Sequence, residues 1–273
     1  VHIREGEEKI HAMMEDYEGV IIWDLPSSVR NRYLKYCFSH SIRCYMSPKI
    51  SDIILLGTDR IHLFDTPLLL CRNQGLSMEQ RAAKRVLDIV VSGLGIIVSS
   101  PIMLIIAIAV KAYDGGPVFY LQDRLTYKGK QFRIRKFRSM CVDSEKNGAR
   151  LASKHDSRIT PVGHVLRNLH LDELPQLFNV FMGDMSLVGP RPERDVIMQE
   201  YEKEIPEFHY RLKVKAGLTG YAQVYGKYNT TPYDKLKLDL FYIENYSFLL
   251  DIKLLFMTVK IFFQKEVSEG VDD

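Results

Sequence analysis

The feature that most constrains this chain is an apolar run from Val86 to Val110, in which Asp88 is the only charged residue. A straight helix of these 25 residues would be about 37 Å long, enough to cross a hydrocarbon core of about 30 Å. Ser99, Ser100 and Pro101 lie near its middle. Proline removes a helical hydrogen bond, and serine hydroxyls can satisfy the carbonyl groups so freed. The run therefore predicts a membrane helix with a break at its centre.

Basic residues flank both ends of this run. Lys84 and Arg85 precede it, Lys111 follows it, and more basic residues lie between 124 and 138. Basic flanks favour the cytoplasmic side, so the two ends compete for it. A re-entrant helix–break–helix that enters and leaves by one face satisfies both ends. From the residues alone the re-entrant and the spanning arrangement stay open, and a buried helix of a soluble domain is less favoured. We expect Asp88 to pair with Lys84 or Arg85 near the interface.

Composition and charge exclude several classes of protein. Hydrophobic residues make up 46% of the chain and charged residues 26%, which is typical of a folded globular chain. A net charge of +3 is too small to indicate a nucleic-acid partner. The four cysteines form no CxxC motif and favour a reducing compartment over a disulfide scaffold. The first residue is Val1, which leaves open that the chain is part of a longer protein.

The sequence predicts three regions, and its fold class is a mixed, helix-rich α/β chain. Residues 1–79 read as short strands at 20–23, 42–46 and 53–56 with a helix at 28–41. They lack a glycine-rich phosphate loop, so we expect a partial α/β domain without a site of its own. Residues 80–112 form the membrane helix.

Residues 113–273 form the third region. They predict a hairpin of strands at 118–122 and 131–140 and helical apolar spacing from 162 to 180. A final helix at 248–263 is expected in the membrane interface or against the apolar run.

The first of three clusters that could carry chemistry is the acidic cluster, Leu171–Gln176, with Asp172 and Glu173 side by side. Neighbours on a helix diverge by about 100°. They are poorly placed to flank a glycosidic bond, which needs opposed carboxylates roughly 5–9.5 Å apart. One carboxylate acting as nucleophile while the other holds a divalent cation fits better. The alternative is a solvated acidic pair on an amphipathic helix.

The two other clusters are loops. In the arginine loop, Gly183–Pro192, two prolines flank Arg191, and a stiffly held guanidinium is a good clamp for phosphate oxygens. The glycine loop, Lys215–Val224, fits contact with a nucleotide or a simple turn. Beside a lipid-embedded helix, the three clusters together predict phosphoryl chemistry at a membrane surface.

From about Arg81 to Gly270 the chain resembles the bacterial sugar transferase family, the monotopic phosphoglycosyl transferases. Seven stretches carry the resemblance in order: Lys84-Arg85 with Asp88, Ser100-Pro101, Lys136–Met140, Leu171–Gln176, Gly183–Pro192, Ala216–Val224, and Leu238-Asp239 through Tyr242 to Asp251. Ala216 stands where the family usually has proline, and Tyr225-Gly226-Lys227 stands where it has Asn-Gly-Arg. Both departures lie in the loop expected near the donor.

This resemblance implies transfer of a sugar-1-phosphate from a UDP-sugar to undecaprenyl phosphate. That step commits a sugar to the membrane in exopolysaccharide, capsule or O-antigen synthesis. Asp172 would attack the diphosphate to give a covalent aspartyl phosphosugar, and Glu173 would bind Mg²⁺. The enzyme would lie in the bacterial cytoplasmic membrane with its catalytic domain on the cytoplasmic face. Residues 1–79 resemble the tail of the Rossmann-like domain that precedes this module in larger, polytopic members.

The resemblance also implies roles for other residues. Those expected at the substrate phosphates are Arg191, Arg138, Arg167 and Lys136. Those expected at the nucleotide sugar are Gly217, Thr219, Gln223 and Asp239. Those expected to anchor the membrane helix are Lys84, Arg85, Asp88, Ser100 and Pro101.

Other readings remain open at this point. A non-catalytic membrane docking or regulatory protein of the same fold is one alternative, and a membrane-bound nucleotide-sugar hydrolase is another. The donor could be glucose, galactose or an amino sugar. An incomplete N-terminal half favours pairing of copies, so a homo-oligomer is also an expectation.

Overall fold

A computed structural model of the chain describes residues 6–71, 75–142, 156–227 and 229–263. Its elements are helices interspersed with short two-stranded sheets, which confirms the mixed, helix-rich α/β class. The chain divides into two compact units between Ile53 and Ile54.

The first unit contains a strand–helix–strand arrangement. Its elements are α1 (Glu7–Glu15), β1 (Gly19–Ile22), α2 (Ser27–Ser39) and β2 (Arg43–Met46). β1 and β2 pair in parallel. A small core unites them, made of Ile10, Met14, Ile22, Tyr33 and Cys37. The two strands and the helix predicted here are confirmed, while a Rossmann-like domain over residues 1–79 stays a prediction.

The strand predicted at 53–56 is wrong, because these residues belong to α3 (Ile50–Leu56). Asp52 accepts a hydrogen bond from the Lys49 backbone N–H at 2.8 Å. An acidic residue that satisfies a free N–H stabilises the start of a helix. A four-residue apolar run cannot distinguish strand from buried helix by periodicity alone. β3 (Asp59–Leu63) and β4 (Thr66–Leu70) follow as an antiparallel hairpin.

The apolar run lies within α4 (Met78–Asp114), a helix of 37 residues. It begins with a capping box in which Ser77 and Gln80 exchange hydrogen bonds, and Gly115 ends it at φ 71°. It is the one helix in the described ranges that is long and apolar enough to cross a membrane. In its most apolar 18-residue window the mean hydropathy is 2.5 and only 17% is buried. So exposed an apolar surface argues against the core helix of a soluble domain and suits a membrane anchor.

Pro101 lies inside α4, and the helix continues through it as one element. The sequence predicts two helices separated by a break at this point. Proline leaves the Ile97 carbonyl without its helical N–H partner. The Ser100 hydroxyl donates to that carbonyl at 2.8 Å, and the Ser99 hydroxyl donates to the Gly95 carbonyl at 2.6 Å. The helix tolerates proline here because a side chain replaces the lost donor.

The predicted hairpin is confirmed as β5 (Phe119–Leu125) and β6 (Gln131–Phe137), which pair antiparallel. The helical stretch predicted from 162 to 180 is not one helix. It divides into α5 (Pro161–Asn168), a 3₁₀ turn (Leu171–Glu173) and α6 (Gln176–Met182). His170 at φ 53° lies between the first two. Apolar spacing reports which side chains are buried and does not detect a residue of positive φ between two helical segments.

Seven further elements complete the described part of the second unit. Its elements are β7 (Ser186–Val188), α7 (Asp195–Glu204), a 3₁₀ helix (Pro206–Lys213), β8 (Gly217–Thr219), α8 (Tyr221–Tyr225), α9 (Pro232–Glu244) and α10 (Phe248–Phe263). β7 and β8 pair in parallel. The predicted final helix is confirmed as α10, and it packs on α4.

Candidate active site

The 3₁₀ turn Leu171–Glu173 places the two adjacent carboxylates. Leu171 and Leu174 pack against the apolar cluster that contains Phe137 and Leu166, which fixes the turn against β6 and α5. Successive residues of a 3₁₀ helix diverge by about 120°. Asp172 and Glu173 therefore point in different directions, as the sequence predicts, although the backbone is 3₁₀ and not α-helical.

Glu173 lies between two cations from separate elements. Its Oε1 accepts hydrogen bonds from Lys136 Nζ at 2.6 Å and from Arg191 Nη2 at 2.9 Å. Burial raises the pKa of Glu173, but Arg191 and Lys136 outweigh burial and bring this pKa down to about 2. Glu173 therefore stays ionised at any physiological pH.

Asp172 has the opposite electrostatic balance. Its side chain is largely buried, with 9% of the residue exposed. Burial raises the pKa of Asp172, the Glu173 charge adds to that rise, and Lys136 and Arg167 oppose it. Two neighbouring carboxylates whose pKa values are driven in opposite directions are suited to different chemical roles.

The two other predicted phosphate ligands, Arg167 and Arg138, are placed differently from Lys136 and Arg191. Arg167 Nε donates to the Ser139 hydroxyl at 2.8 Å, and its charge acts on Asp172. Arg138 is buried and forms a bidentate pair with Asp114 at the end of α4, with Nη1 2.7 Å from Oδ2. The charge of Arg167 therefore acts on the acidic cluster. The guanidinium of Arg138 is instead paired with Asp114 of α4.

The arginine loop and the glycine loop lie together because β7 pairs with β8. Gly189 N–H donates to the Thr219 carbonyl at 2.8 Å, and Gly217 N–H donates to the Pro190 carbonyl at 2.9 Å. A Cβ on Gly217 would lie 2.1 Å from Gly189 N, and one on Gly220 would lie 2.1 Å from Gly189 O. Only glycine permits this approach of the two backbones. Since Arg191 also reaches Glu173, all three predicted clusters meet.

The residues predicted at the nucleotide sugar have unequal access. Gly217 is built into β8, and the Thr219 hydroxyl is 2.7 Å from the Thr258 hydroxyl of α10. Gln223 has both amide atoms buried without a hydrogen-bond partner in the described ranges. Asp239 is 1% exposed and lies 2.8 Å from Arg211 Nη2.

The charged residues predicted to anchor the membrane helix bind other parts of the protein. Lys84 is buried and donates to Asp251 at 2.6 Å and to the Tyr242 hydroxyl at 2.9 Å. Arg85 donates to the Val180 and Phe181 carbonyls at the end of α6.

Asp88 does not depend on Lys84 or Arg85 for its hydrogen bonds. It accepts from the Ser186 hydroxyl at 2.9 Å and from the Leu187 N–H at 2.8 Å. These hydrogen bonds attach the start of α4 to β7, which lies within the arginine loop.

Sequence reasoning missed two charged residues at this site. Arg211 pairs with Asp239 and donates to the Arg191 carbonyl at 3.0 Å, and Asp114 holds Arg138. Each lies more than 20 residues from its partner, and neither belongs to a local pattern that identifies the pairing.

Comparison with known proteins gives a consistent match. The sequence model of the family described as "Bacterial sugar transferase" matches residues 79–265. An Aeromonas hydrophila UDP-N-acetylgalactosamine-undecaprenyl-phosphate N-acetylgalactosaminephosphotransferase is 44% identical over 180 residues, 65% of this chain and 43% of that protein. The UDP-glucose:undecaprenyl-phosphate glucose-1-phosphate transferase of Escherichia coli K12 is 40% identical over 208 residues, 74% of this chain and 43% of that protein.

A third relative, the undecaprenyl-phosphate galactose phosphotransferase of Salmonella typhimurium LT2, is 37% identical over 237 residues, 80% of this chain and 49% of that protein. The chain thus spans about half the length of the curated relatives it matches.

Proposed function

Because the chain belongs to the bacterial sugar transferase family, we propose that it transfers a sugar-1-phosphate from a UDP-sugar to undecaprenyl phosphate. The observation that carries the proposal is the acidic cluster. One carboxylate is paired with two cations, and its neighbour, Asp172, lies buried beside them. The relatives described above are named for N-acetylgalactosamine, glucose and galactose transfer to the same lipid. The sugar that this chain uses is open among such donors.

The proposed chemistry has two steps. A carboxylate oxygen of Asp172 attacks the phosphorus that carries the sugar, the bond between the two phosphates breaks, and UMP leaves. A phosphate oxygen of undecaprenyl phosphate then attacks the same phosphorus and releases Asp172. A nucleophile must be ionised, and a carboxylate whose pKa is raised is more basic than a solvated one. Lys136, Arg191 and Arg167 supply the positive charge that phosphoryl transfer requires.

We also propose that Glu173 holds Mg²⁺. In phosphoryl-transfer sites Mg²⁺ is held by one or two carboxylates together with substrate phosphates. The residues present fit that mode: Lys136 and Arg191 both bind Oε1 of Glu173, so its second oxygen would take the ion. Across the described ranges no group of three His, Cys, Asp or Glu side chains could hold a metal alone. Bound there, Mg²⁺ would neutralise diphosphate charge as UMP departs.

The test combines a donor panel with mass spectrometry. The full chain in detergent or nanodiscs is given UDP-glucose, UDP-galactose or an N-acetylated UDP-sugar, with Mg²⁺ and undecaprenyl phosphate, and UMP release is measured. With donor alone, the peptide that contains Asp172 is expected to gain the mass of the phosphosugar. Asp123→Asn, which changes an exposed carboxylate on β5, is the matched control and should behave as wild type.

If none of the donors gave UMP, the result would support a non-catalytic docking protein. Free sugar phosphate formed without the lipid would indicate a hydrolase.

We propose that α4 is a re-entrant anchor on the cytoplasmic face, and the contacts at its two ends support the re-entrant part of this proposal. Lys84 near its start binds α10 and α9, and Asp114 at its end binds Arg138. Thirty residues separate them, or about 45 Å of helix, yet both partners belong to the second unit. A helix that crossed the bilayer would place its two ends, and their partners, on opposite sides. A helix that bends at Pro101, and so enters and leaves one leaflet from the same face, agrees with these contacts.

Cysteine accessibility tests this topology. Met78→Cys and Tyr113→Cys, each in a chain whose native cysteines are replaced by serine, place thiols at exposed positions before and after the apolar run. Both should react with a membrane-impermeant maleimide in inside-out vesicles and neither in spheroplasts. Val98→Cys, 76% exposed on the apolar face, should react only after detergent is added. Labelling of the two end positions from opposite sides would contradict the re-entrant arrangement.

A further inference from the structure

Two arginines from separate elements hold the main chain of the arginine loop. Arg211, in the 3₁₀ helix Pro206–Lys213, donates from Nη2 to the Arg191 carbonyl at 3.0 Å. Arg124, on β5, donates from Nη1 to the Pro192 carbonyl at 3.1 Å. Hydrogen bonds from charged donors are stronger than neutral ones. The two successive carbonyl groups of Arg191 and Pro192 are therefore each held by an arginine side chain.

Arg211 is itself held by a buried counter-charge. Its Nη2 lies 2.8 Å from Oδ2 of Asp239, and the two side chains are 6% and 1% exposed. Burial raises the pKa of Asp239 to about 6, against the opposing effect of Arg211. Removing both charges from water is costly, and such a pair alone is weak evidence for stability. The contact of Arg211 with the Arg191 main chain is therefore the better guide to the role of this pair.

What the pair contacts is the residue that binds Glu173. The Arg191 side chain is 50% exposed and reaches Glu173 Oε1 at 2.9 Å. A long, half-exposed side chain can hold that geometry only if its own backbone is fixed. From Asp239 a continuous chain of contacts runs through Arg211 and the Arg191 main chain to Glu173.

We propose that Asp239 and Arg211 are positioning residues that fix Arg191 against the acidic cluster during phosphosugar transfer. The proposal rests on the function proposed above. It replaces direct contact between Asp239 and the nucleotide sugar, which the family resemblance implies, because a side chain 1% exposed behind Arg211 presents no face to a ligand. If Asp239 contacted the donor directly, substituting it would weaken ground-state binding and raise KM. If it positions Arg191, substituting it displaces Arg191 and lowers kcat.

The test removes both charges together. Arg211→Met combined with Asp239→Leu leaves no unpaired buried charge, and apolar replacements of buried ion pairs are often neutral for stability. This double variant should unfold near the wild-type temperature. Its kcat for UMP release should be about 10- to 100-fold lower, the size of effect that small misplacements produce. The KM for the donor should change less than kcat.

A second background tests whether the effect passes through Arg191. In a chain with Arg191→Ala, the same double variant should cost less than about a further twofold, because coupled residues are not additive. The matched control is Arg30→Met with Asp52→Leu, which removes an arginine–aspartate pair of the first unit whose side chains are 7% and 23% exposed. It should leave kcat per folded molecule unchanged.

Each remaining outcome overturns a stated part. Equal losses with and without Arg191, or a loss confined to KM, would overturn the positioning role in favour of direct contact. A lowered unfolding temperature with unchanged kcat would reduce the pair to a structural one. A wild-type chain that releases no UMP would overturn the proposed function, and the positioning role with it.

Discussion

Two clusters of opposite charges in the second unit differ in burial and in whether each charged group has a partner. At the start of α4, Asp251 is fully buried and accepts from Lys84 and from Tyr242, so its charge is matched one to one. At the acidic cluster, Glu173 binds two cations, while Asp172 beside it forms no ion pair within the described part of the chain. We call the first cluster closed, because each of its charged groups has a partner. We call the second open, because the cations that bind Glu173 leave the Asp172 carboxylate available for chemistry.

This difference separates a structural role from a chemical one. A closed cluster gains nothing from a ligand, since each group already has its partner. An open cluster with a buried acid and partly exposed cations gains from an incoming phosphate, which brings further negative charge for those cations. Breaking the two clusters should therefore have different consequences, the first for folding and the second for turnover.

The largest expected effect comes from Asp172→Asn. Loss of the proposed nucleophile should lower UMP release by about 10⁴-fold or more, as in other covalent mechanisms, and abolish the mass adduct. The unfolding temperature should change little, because the amide has the shape of the carboxyl. Turnover assays and calorimetry on the same preparation check both. Substantial residual turnover with an adduct on another peptide would place the nucleophile elsewhere.

The next effect concerns the closed cluster. Lys84→Met leaves Asp251 buried without its cation and should destabilise the chain by about 3–5 kcal/mol. Lys84→Met with Asp251→Leu should recover most of that loss. Thermal unfolding in detergent, followed by circular dichroism, measures the free energy of unfolding for each. If the single and the double variant are equally unstable, the pairing is not what stabilises the start of α4.

The smallest effect is a displacement of the pH profile. Because burial raises the pKa of Asp172 above its ordinary 3.8, adduct formation should fail on acidification at a higher pH than for a solvated aspartate. Lys136 opposes that rise, so Lys136→Met should move the acid limb to still higher pH. Glu173, with a pKa of about 2, does not contribute to this limb. Single-turnover adduct formation from pH 4 to 8 gives the profile, and an unmoved limb would assign it to another group.

Local features were predictable from the sequence, and long-range pairings were not. The β5–β6 hairpin and α10 follow from alternation and helical spacing within one segment. The strand predicted at 53–56 fails because four apolar residues fit both α3 and a strand. The division between α5 and α6 depends on one positive φ at His170, which periodicity does not register.

The candidate site shows the same limit. Spacing and composition select the three clusters, and the structure brings them together through β7, β8 and Arg191. The attachment of Arg138 to Asp114 and of Arg211 to Asp239 joins segments 24 and 28 residues apart. The local sequence around Arg138 or Arg211 does not identify the aspartate that each of them pairs with. Pairings of this kind are set by how the chain packs.

The close approach of Gly189, Gly217 and Gly220 has a consequence for anyone who wishes to redesign donor choice. Any side chain added at these three positions would collide with backbone atoms and separate the arginine loop from the glycine loop. Libraries aimed at a new sugar should therefore hold these glycines constant. Diversity belongs instead at Tyr225 and Lys227, two exposed residues of the loop that the family resemblance places near the donor.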